Sequence, residues 1–537
     1  MMKKGKKALA LVLALAAVAP MAACGPQVIN PAPDDRVELR ISLYAGGYGT
    51  DWMDNLIDHL NESQETYWYT RLEDNKMASA DIAGRILGGL VEADIYFTTP
   101  ADVEELVAKG KLESLKDVYE HTPEGEEQSI KEKALNYEMY EKYFSDENGV
   151  YVMPNQLLVN GLVYDHDLFV KNNWLFKDDS TASGLTKGAD GVEGTYDDGL
   201  PVTYEDFKEL VEQIVTDQYI PFVYGDEIGF SQLKMFVESI WAQYEGVENY
   251  NVGLTFNGTY TSPSTGVQTT VTPAEGWKVY QNNLQEGRIK GMQFISEMVY
   301  HAPDGYLYDD RSGLSHTDAQ AVYVTSHATK QIAMLFDGGW WENEAKRAFM
   351  EDEKNNNEDY AFGKRDFRMM PAPTFAGQSQ STVGKHYFSG DLGAASSFAV
   401  KPSVFNPQIS EEDAAIKREG IMQFFKAYAS DWNCMNYTQS SGCLLPFDYE
   451  LTKEQLAPIS KFAKNIYEIV HDESTVLVSN YWETKDIPLV NPPERWGTVK
   501  IGSATYSTHT QALQSTSFAD YIRGLQYDTW NETNWKK

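Results

Sequence analysis

Two groups of residues in this 537-residue chain have types and spacings suited to chemistry. The first is the run Asp190-Gly191-Val192-Glu193-Gly194-Thr195-Tyr196-Asp197-Asp198-Gly199. Acids alternating with glycines supply hard oxygen donors and tight turns, which a calcium ion requires. The run lacks the ligand spacing and final Glu of an EF-hand. Asp190, Asp197 and Asp198 are candidate ligands of a structural calcium, with a solvated acidic turn as the alternative. The second group is the pair Cys434 and Cys443, which flank Ser440-Ser441-Gly442. In an oxidising compartment they are expected to close a small disulfide loop worth roughly 2–3 kcal/mol. Two free thiols are the alternative. No CxxC, zinc-ligand spacing, HExxH, P-loop or serine nucleophile elbow occurs.

The 79 Asp and Glu outnumber the 45 Lys and Arg, for a formal charge of −34. So acidic a chain excludes nucleic acid as a partner, because it has too little basic surface to displace counterions. The excess also makes any pair of carboxylates easy to find. The acid pair of a glycoside hydrolase therefore cannot be recognised from composition. Thirty-three Tyr and twelve Trp, each with an apolar face and a polar tip, suit sites for amphipathic ligands, although most must be ordinary core and surface.

The elements that position these groups begin after an export segment. Lys3, Lys4, Lys6 and Lys7 precede the apolar run Ala8 to Ala19, which is short for a membrane span. Residues 1–23 are expected to be a signal peptide. Met21-Ala22-Ala23-Cys24 resembles the bacterial lipobox, with Met21 where Leu is commoner, so Cys24 is the expected lipidation site. Plain secretion is the alternative. Two or more acyl chains give stable anchoring, which places the mature chain on the outer face of the cell membrane, held by lipid alone. Residues 24–36, polar and Pro-rich, read as a tether. Past Ala23 no apolar run is long enough to span a bilayer.

From Val37 the chain alternates strands and helices. Strands are expected at 37–43, 67–72, 93–97, 150–153, 160–164 and 332–336. Helices are expected at 51–60, 79–89, 103–108, 203–216, 279–300, 411–429 and about 453–470, with a charged helical stretch near 126–144. Thr203 with Asp206 three residues on forms a capping box. Residues 251–273 read as an irregular β loop. This alternation means α/β architecture with mostly parallel sheets, whose ligands sit beyond the carboxyl ends of strands. That rule points to the turn after the first strand, which holds Tyr48, to Thr98, and to Trp340 after Asp337-Gly338-Gly339.

Five segments in order resemble the extracellular solute-binding proteins of ABC sugar importers, the maltose-type group. They are GKLESLKDVYE (110–120), GVYVMPNQLLVNGLVYDHDLFVKNNW (149–174), LPVTYEDFKELVEQI (200–214), KQIAMLFDGGWW (330–341) and GIMQFFKAYAS (420–430). The resemblance spans nearly all of the mature chain. It implies a periplasmic-binding-protein-like fold, two α/β lobes with parallel-rich sheets joined by a hinge. The N-lobe would hold 37–153 plus 388–436, and the C-lobe 154–387 plus 437–537. It implies a monomer that captures a sugar or oligosaccharide by closing its cleft and delivers it to an ABC permease. No catalysis and no required cofactor are implied. Some long members carry a calcium loop where Asp190 to Asp198 stand. The alternatives are an extracellular glycoside hydrolase and a binding protein for a non-sugar solute.

By the same resemblance, Trp340 matches a tryptophan that stacks on sugar, with Asp337 beside it. Tyr48 and Trp52 fall in the ligand-contacting turn of the N-lobe, with packing of the first helix as the alternative for Trp52. Thr98 stands where maltose-type members place an aromatic contact, and Thr cannot stack, which leaves the sugar open. Asn155 and Gln156 lie at the first hinge crossing and Asp391 follows the return crossing. Asp226, Glu227 and Trp482 are candidates on the C-lobe side.

Overall fold

The structure, a computed structural model, describes residues 27–43, 46–73, 86–88, 93–98, 103–225, 231–309, 313–354, 358–392, 396–399, 409–479 and 497–535. Two six-stranded sheets organise it. The first runs in the order Gln27–Ile29, Tyr67–Glu73, Val37–Ser42, Ile95–Thr98, Ser396–Ala399, Met153–Pro154. The second runs Thr475–Ser479, His386–Leu392, Leu157–Asp165, Ile332–Gly338, Ile220–Val223, with Phe367–Met370 also paired to Leu157–Asp165.

Both sheets combine parallel and antiparallel strands. Val37–Ser42 lies parallel to its two neighbours, but Ser396–Ala399 runs antiparallel to both of its own. Leu157–Asp165 is antiparallel to all three strands it meets. The cause is the double crossing of the chain. A strand entered from the other lobe starts at the cleft edge, where the local βα strands end. It must therefore run against them.

Sheet membership also moves two expected lobe boundaries. Residues 389–392 pair with 157–160 in the second sheet, and residues 396–399 belong to the first. Residues 437–441 belong to helix Asp431–Ser441, whose Asn436 amide donates to the Trp52 carbonyl of the first lobe at 2.8 Å. Part of the expected tether is structured as well. Gln27–Ile29 adds an antiparallel edge strand to Tyr67–Glu73.

Local signals set the elements that carry these sheets. Helix Asp51–Glu62 buries Trp52, Met53, Leu56, Ile57 and Leu60 on one stripe, and its first turn carries Asp51 and Asp54. Strand Ile332–Gly338 is buried at every residue, which is why it reads as an unbroken apolar run. The capping box forms around helix Tyr204–Thr216: Asp206 N–H donates to Thr203 Oγ1 at 3.1 Å and Thr203 N–H to Asp206 Oδ2 at 2.9 Å. Two expected long helices are broken. Residues 278–300 divide into Lys278–Gln281 and Glu286–Ile295 around the left-handed Asn283, with a wider π turn at Ser296–Tyr300. Residues 453–471 divide at 457–460, where Pro458 cannot continue a helix. Within 251–273 the structure has the end of helix Val247–Thr255 and the hairpin Gly258–Thr261 with Gln268–Val271. Of the 79–89 helix, only 86–88 lie within the described residues.

The expected disulfide is absent: Cys434 and Cys443 are both free and buried. Cys434 sits near the start of helix Asp431–Ser441 and Cys443 just past its left-handed cap, Gly442. A helix rises about 1.5 Å per residue, so the two are held roughly 10 Å apart along its axis. A disulfide needs Cα atoms within about 7 Å.

Candidate functional site

Strand Ile332–Gly338 ends at the cleft edge of the second sheet, and Trp340 follows as the N-cap of helix Trp341–Glu344. Its indole is half-buried, wedged between two glycines from different lobes. A Cβ on Gly338 would lie 2.0 Å from Trp340 Cζ3, and one on Gly47 would lie 2.8 Å from Cδ1. No side chain fits at either place. The adjacent Trp341 points the other way, into an aromatic cluster with Tyr323, Phe349, Phe367 and Phe462. The Asn343 amide donates to the Gly47 carbonyl, so this corner touches both lobes at once. A pocket beside it, lined by Gly339, Glu342, Asn343, Ser440, Gly442 and Ser460, lies between helix Trp341–Glu344 and the end of helix Asp431–Ser441.

Polar side chains surround the indole's strand. Asp337 is buried, and burial pushes its carboxyl up to about 7. The Gln320 amide and the Gly338 N–H, donating at 3.0 and 2.8 Å, oppose that rise, and nearby Glu344 adds to it. Gln320 also donates to Glu344 at 2.7 Å, and His316 Nε2 lies 3.5 Å from Glu344. Burial likewise raises Glu342 to about 7, opposed by a hydrogen bond from the Ser460 hydroxyl. Several buried polar atoms here have no hydrogen-bond partner among the described residues: Gln320 Oε1, His316 Nδ1, Glu342 Oε1 and Asn343 Oδ1. Asn155 Oδ1 at the hinge and Asn160 Oδ1, in register with Gly338 and Ser389, are in the same state. Most buried polar groups are paired, so these atoms leave hydrogen-bonding capacity unused beside strand Ile332–Gly338 and helix Trp341–Glu344.

The sequence-derived candidates divide. Trp340, Asp337, Asn155 and Gln156 stand at the cleft edge of the second sheet or at the hinge, and Tyr48 ends the turn that meets Trp340, its ring 6.3 Å from Tyr437. Trp52 is a correction. It is 3% exposed and packs against Tyr428 and Tyr437 in the first lobe's core, because it lies on the inward stripe of its helix. Trp241 and Tyr244 are core. Thr98 closes its strand opposite Ser396, and Asp391 pairs with Leu158, both beside the crossings. Asp226, Glu227, Trp482 and Cys24 lie outside the described residues. Gln320, His316 and Asn343 were missed by sequence reasoning. His316 and Gln320 sit on helix His316–Thr325, where nothing in the local pattern marks them.

Asp190 and Asp197 come together as expected, but Asp198 is not in their cluster. Its Oδ2 accepts the Gly194 N–H at 2.8 Å, and the third member is His386.

No family model matches the sequence, and no curated protein matches it. Solved structures do. The apo form of RafE from Streptococcus pneumoniae is 14% identical, covers 83% of this chain and 89% of its own, and superposes with a TM-score of 0.51. The chain has the two-lobed solute-binding-protein fold. A structure from work on xylan utilization by Caldanaerobius polysaccharolyticus is 13% identical, covers 93% and 99%, and has a TM-score of 0.53. A probable secreted solute-binding lipoprotein from Streptomyces coelicolor is 12% identical, covers 94% and 98%, and has a TM-score of 0.50. Trp340 and Asn343 lie where the second lobe meets Gly47 of the first.

Proposed function

We propose that this chain captures a sugar or oligosaccharide between its two lobes and hands it, unaltered, to a membrane importer. A sugar presents flat C–H faces and a rim of hydroxyls. It calls for an aromatic plate and a set of paired acceptors and donors. The observation that carries the reading is Trp340, a half-buried indole at the end of strand Ile332–Gly338 that meets Gly338 of its own lobe and Gly47 of the other. Structures of the same fold include RafE in complex with raffinose and a chitin oligosaccharide binding protein, which supports a carbohydrate as the ligand class.

Closure supplies the capture. Contacts of Trp340 with Gly47, and of Asn343 with the Gly47 carbonyl, tie the two lobes together. A ligand that touches both lobes shifts the equilibrium by its differential affinity for the shut form. The capture step needs no cofactor and no bond making. In this proposal Cys24 carries the lipid that holds a monomeric chain on the outer membrane face, and the permease is the only protein partner. Among the described residues no helix is long and apolar enough to cross a membrane. The test is titration of the purified chain with a panel of oligosaccharides, followed by intrinsic tryptophan fluorescence and calorimetry. Saturable binding with the glycan recovered intact is the expected result. Hydrolysis of the glycan, or no binding across the panel, overturns the proposal.

A further inference from the structure

The second cluster of chemistry-bearing side chains lies well away from the cleft. Strand His386–Leu392 reaches the hinge at Leu392, and His386 is at its other end, roughly 20 Å off at about 3.3 Å per residue. Here the loop between helices His166–Asn172 and Tyr204–Thr216 folds back on the second sheet. One ligand-type atom each from Asp190, Asp197 and His386 lie within 4.8 Å of one another.

The geometry within the cluster is specific. The side chains of His386 and Asp197 are each 1% exposed, and Nε2 lies 2.9 Å from Asp197 Oδ2. No other acceptor among the described residues bonds Nε2. An imidazole nitrogen and a carboxylate oxygen 2.9 Å apart can both turn their lone pairs to one ion. Metal–ligand bonds of about 2.0–2.2 Å in a tetrahedral set put neighbouring donors roughly 3.3 Å apart.

The carboxylates are held in place by the loop. Asp197 Oδ2 accepts the Ala189 N–H at 2.7 Å and Oδ1 accepts the Thr195 hydroxyl at 2.8 Å. Asp190 Oδ1 accepts the Val192 N–H at 2.7 Å. Gly188, with φ +61°, lies against Asp197 so closely that a Cβ would fall 1.9 Å from Oδ2. The Tyr196 ring stands 5.4 Å from His386, and its hydroxyl pairs with Thr475 Oγ1 at 3.0 Å, covering the histidine. Such outer contacts orient the ligands of a metal centre.

We propose that Asp190, Asp197 and His386 form a binding site for a zinc-class divalent transition cation, which pins the 173–203 loop to the second sheet. The nitrogen donor sets the class. Calcium and magnesium take all-oxygen shells, whereas an imidazole with two carboxylates suits zinc or manganese. This departs from the calcium expected of the acidic run, and it is independent of the ligand in the cleft.

The test uses the full chain stripped with chelator and dialysed. Zinc chloride, manganese chloride and calcium chloride are titrated by calorimetry, and thermal unfolding is followed in each. Wild type is expected to bind one zinc and melt at a higher temperature with it. His386→Gln and Asp197→Asn are expected to lose that binding and that shift. A cobalt titration supplies a second readout: wild type should give visible d–d absorption that His386→Gln lacks. Zinc binding undiminished in both variants overturns the site. So does stabilisation by calcium alone, equal in wild type and His386→Gln, or the absence of any saturable transition-metal binding.

Discussion

Two buried acids of the second lobe have the same raised carboxyl, about 7, and opposite surroundings. Glu245 accepts from Trp241 Nε1 at 2.8 Å, from the Gly287 N–H at 2.8 Å and from the Tyr260 hydroxyl at 3.1 Å. Both of its oxygens are used. Glu342 has one oxygen bonded to Ser460 and the other without a partner, in a cleft-edge neighbourhood where Gln320, His316 and Asn343 also carry orphaned atoms. Burial alone raises both carboxyls, so the raised value does not separate a structural acid from a binding one. Hydrogen-bond satisfaction does. The Glu245 region is a closed network that locks helix Ser231–Glu245 to the hairpin and to helix Glu286–Ile295. The Trp340 region is an unfinished one.

The sharpest break of this comparison is Trp340→Ala. Loss of a buried aromatic anchor costs about 2–4 kcal/mol at binding hot spots. The expected outcome is a sugar affinity lower by a factor of about 30 or more with little change in melting temperature. Unchanged affinity in calorimetry would remove Trp340 from the site. Gly338→Ala tests the same corner from beneath. The added Cβ must displace the indole, and overpacking of this kind costs about 1–3 kcal/mol. Weaker binding at near-constant fold by circular dichroism is the expected result.

Glu245→Leu probes the other side of the comparison. It strands three buried donors, at about 1–3 kcal/mol each in desolvation, so stability should fall while the variant that still folds keeps its sugar affinity. A loss of affinity with no loss of stability would make Glu245 a binding residue after all. The pH dependence sharpens this further. A carboxyl at about 7 in the folded chain and near 4.5 when unfolded stabilises below about pH 4.5, and that contribution is lost as pH rises towards 7. The wild-type minus Glu245→Gln difference in unfolding free energy should therefore shrink between pH 5 and pH 7.5. A difference that grows with pH would contradict the assigned direction. The smallest effect concerns the thiols. Reductant should leave the melting temperature unchanged, and denatured protein should titrate Cys434 and Cys443 as free thiols.

Legibility followed range. The Thr203–Asp206 cap and the buried strand before Trp340 each depend on a few neighbouring residues, and each was readable. Trp52 was misread because its stripe on the helix was visible but the body covering it, Tyr428 and Tyr437, is supplied by chain nearly four hundred residues away. The cysteines were misread for a local reason. The residues between them form a helix that spaces them, where a loop had been assumed.

What the amino-acid sequence determined by itself was therefore the alternation of α and β elements, the export signal as an expectation, and one indole after a glycine pair. These rest on periodicity, composition and steric rules that act within a turn or a strand. Tertiary structure alone decided that Gly47 meets that indole from the other lobe, that Gln320, His316 and Asn343 join it, and that His386 completes the cluster of Asp190 and Asp197. Gly47 reaches the indole because the chain crosses between two sheets, and the other groups meet through packing within the second lobe. No local preference encodes a distance between residues whose separation is set only when both cores have packed.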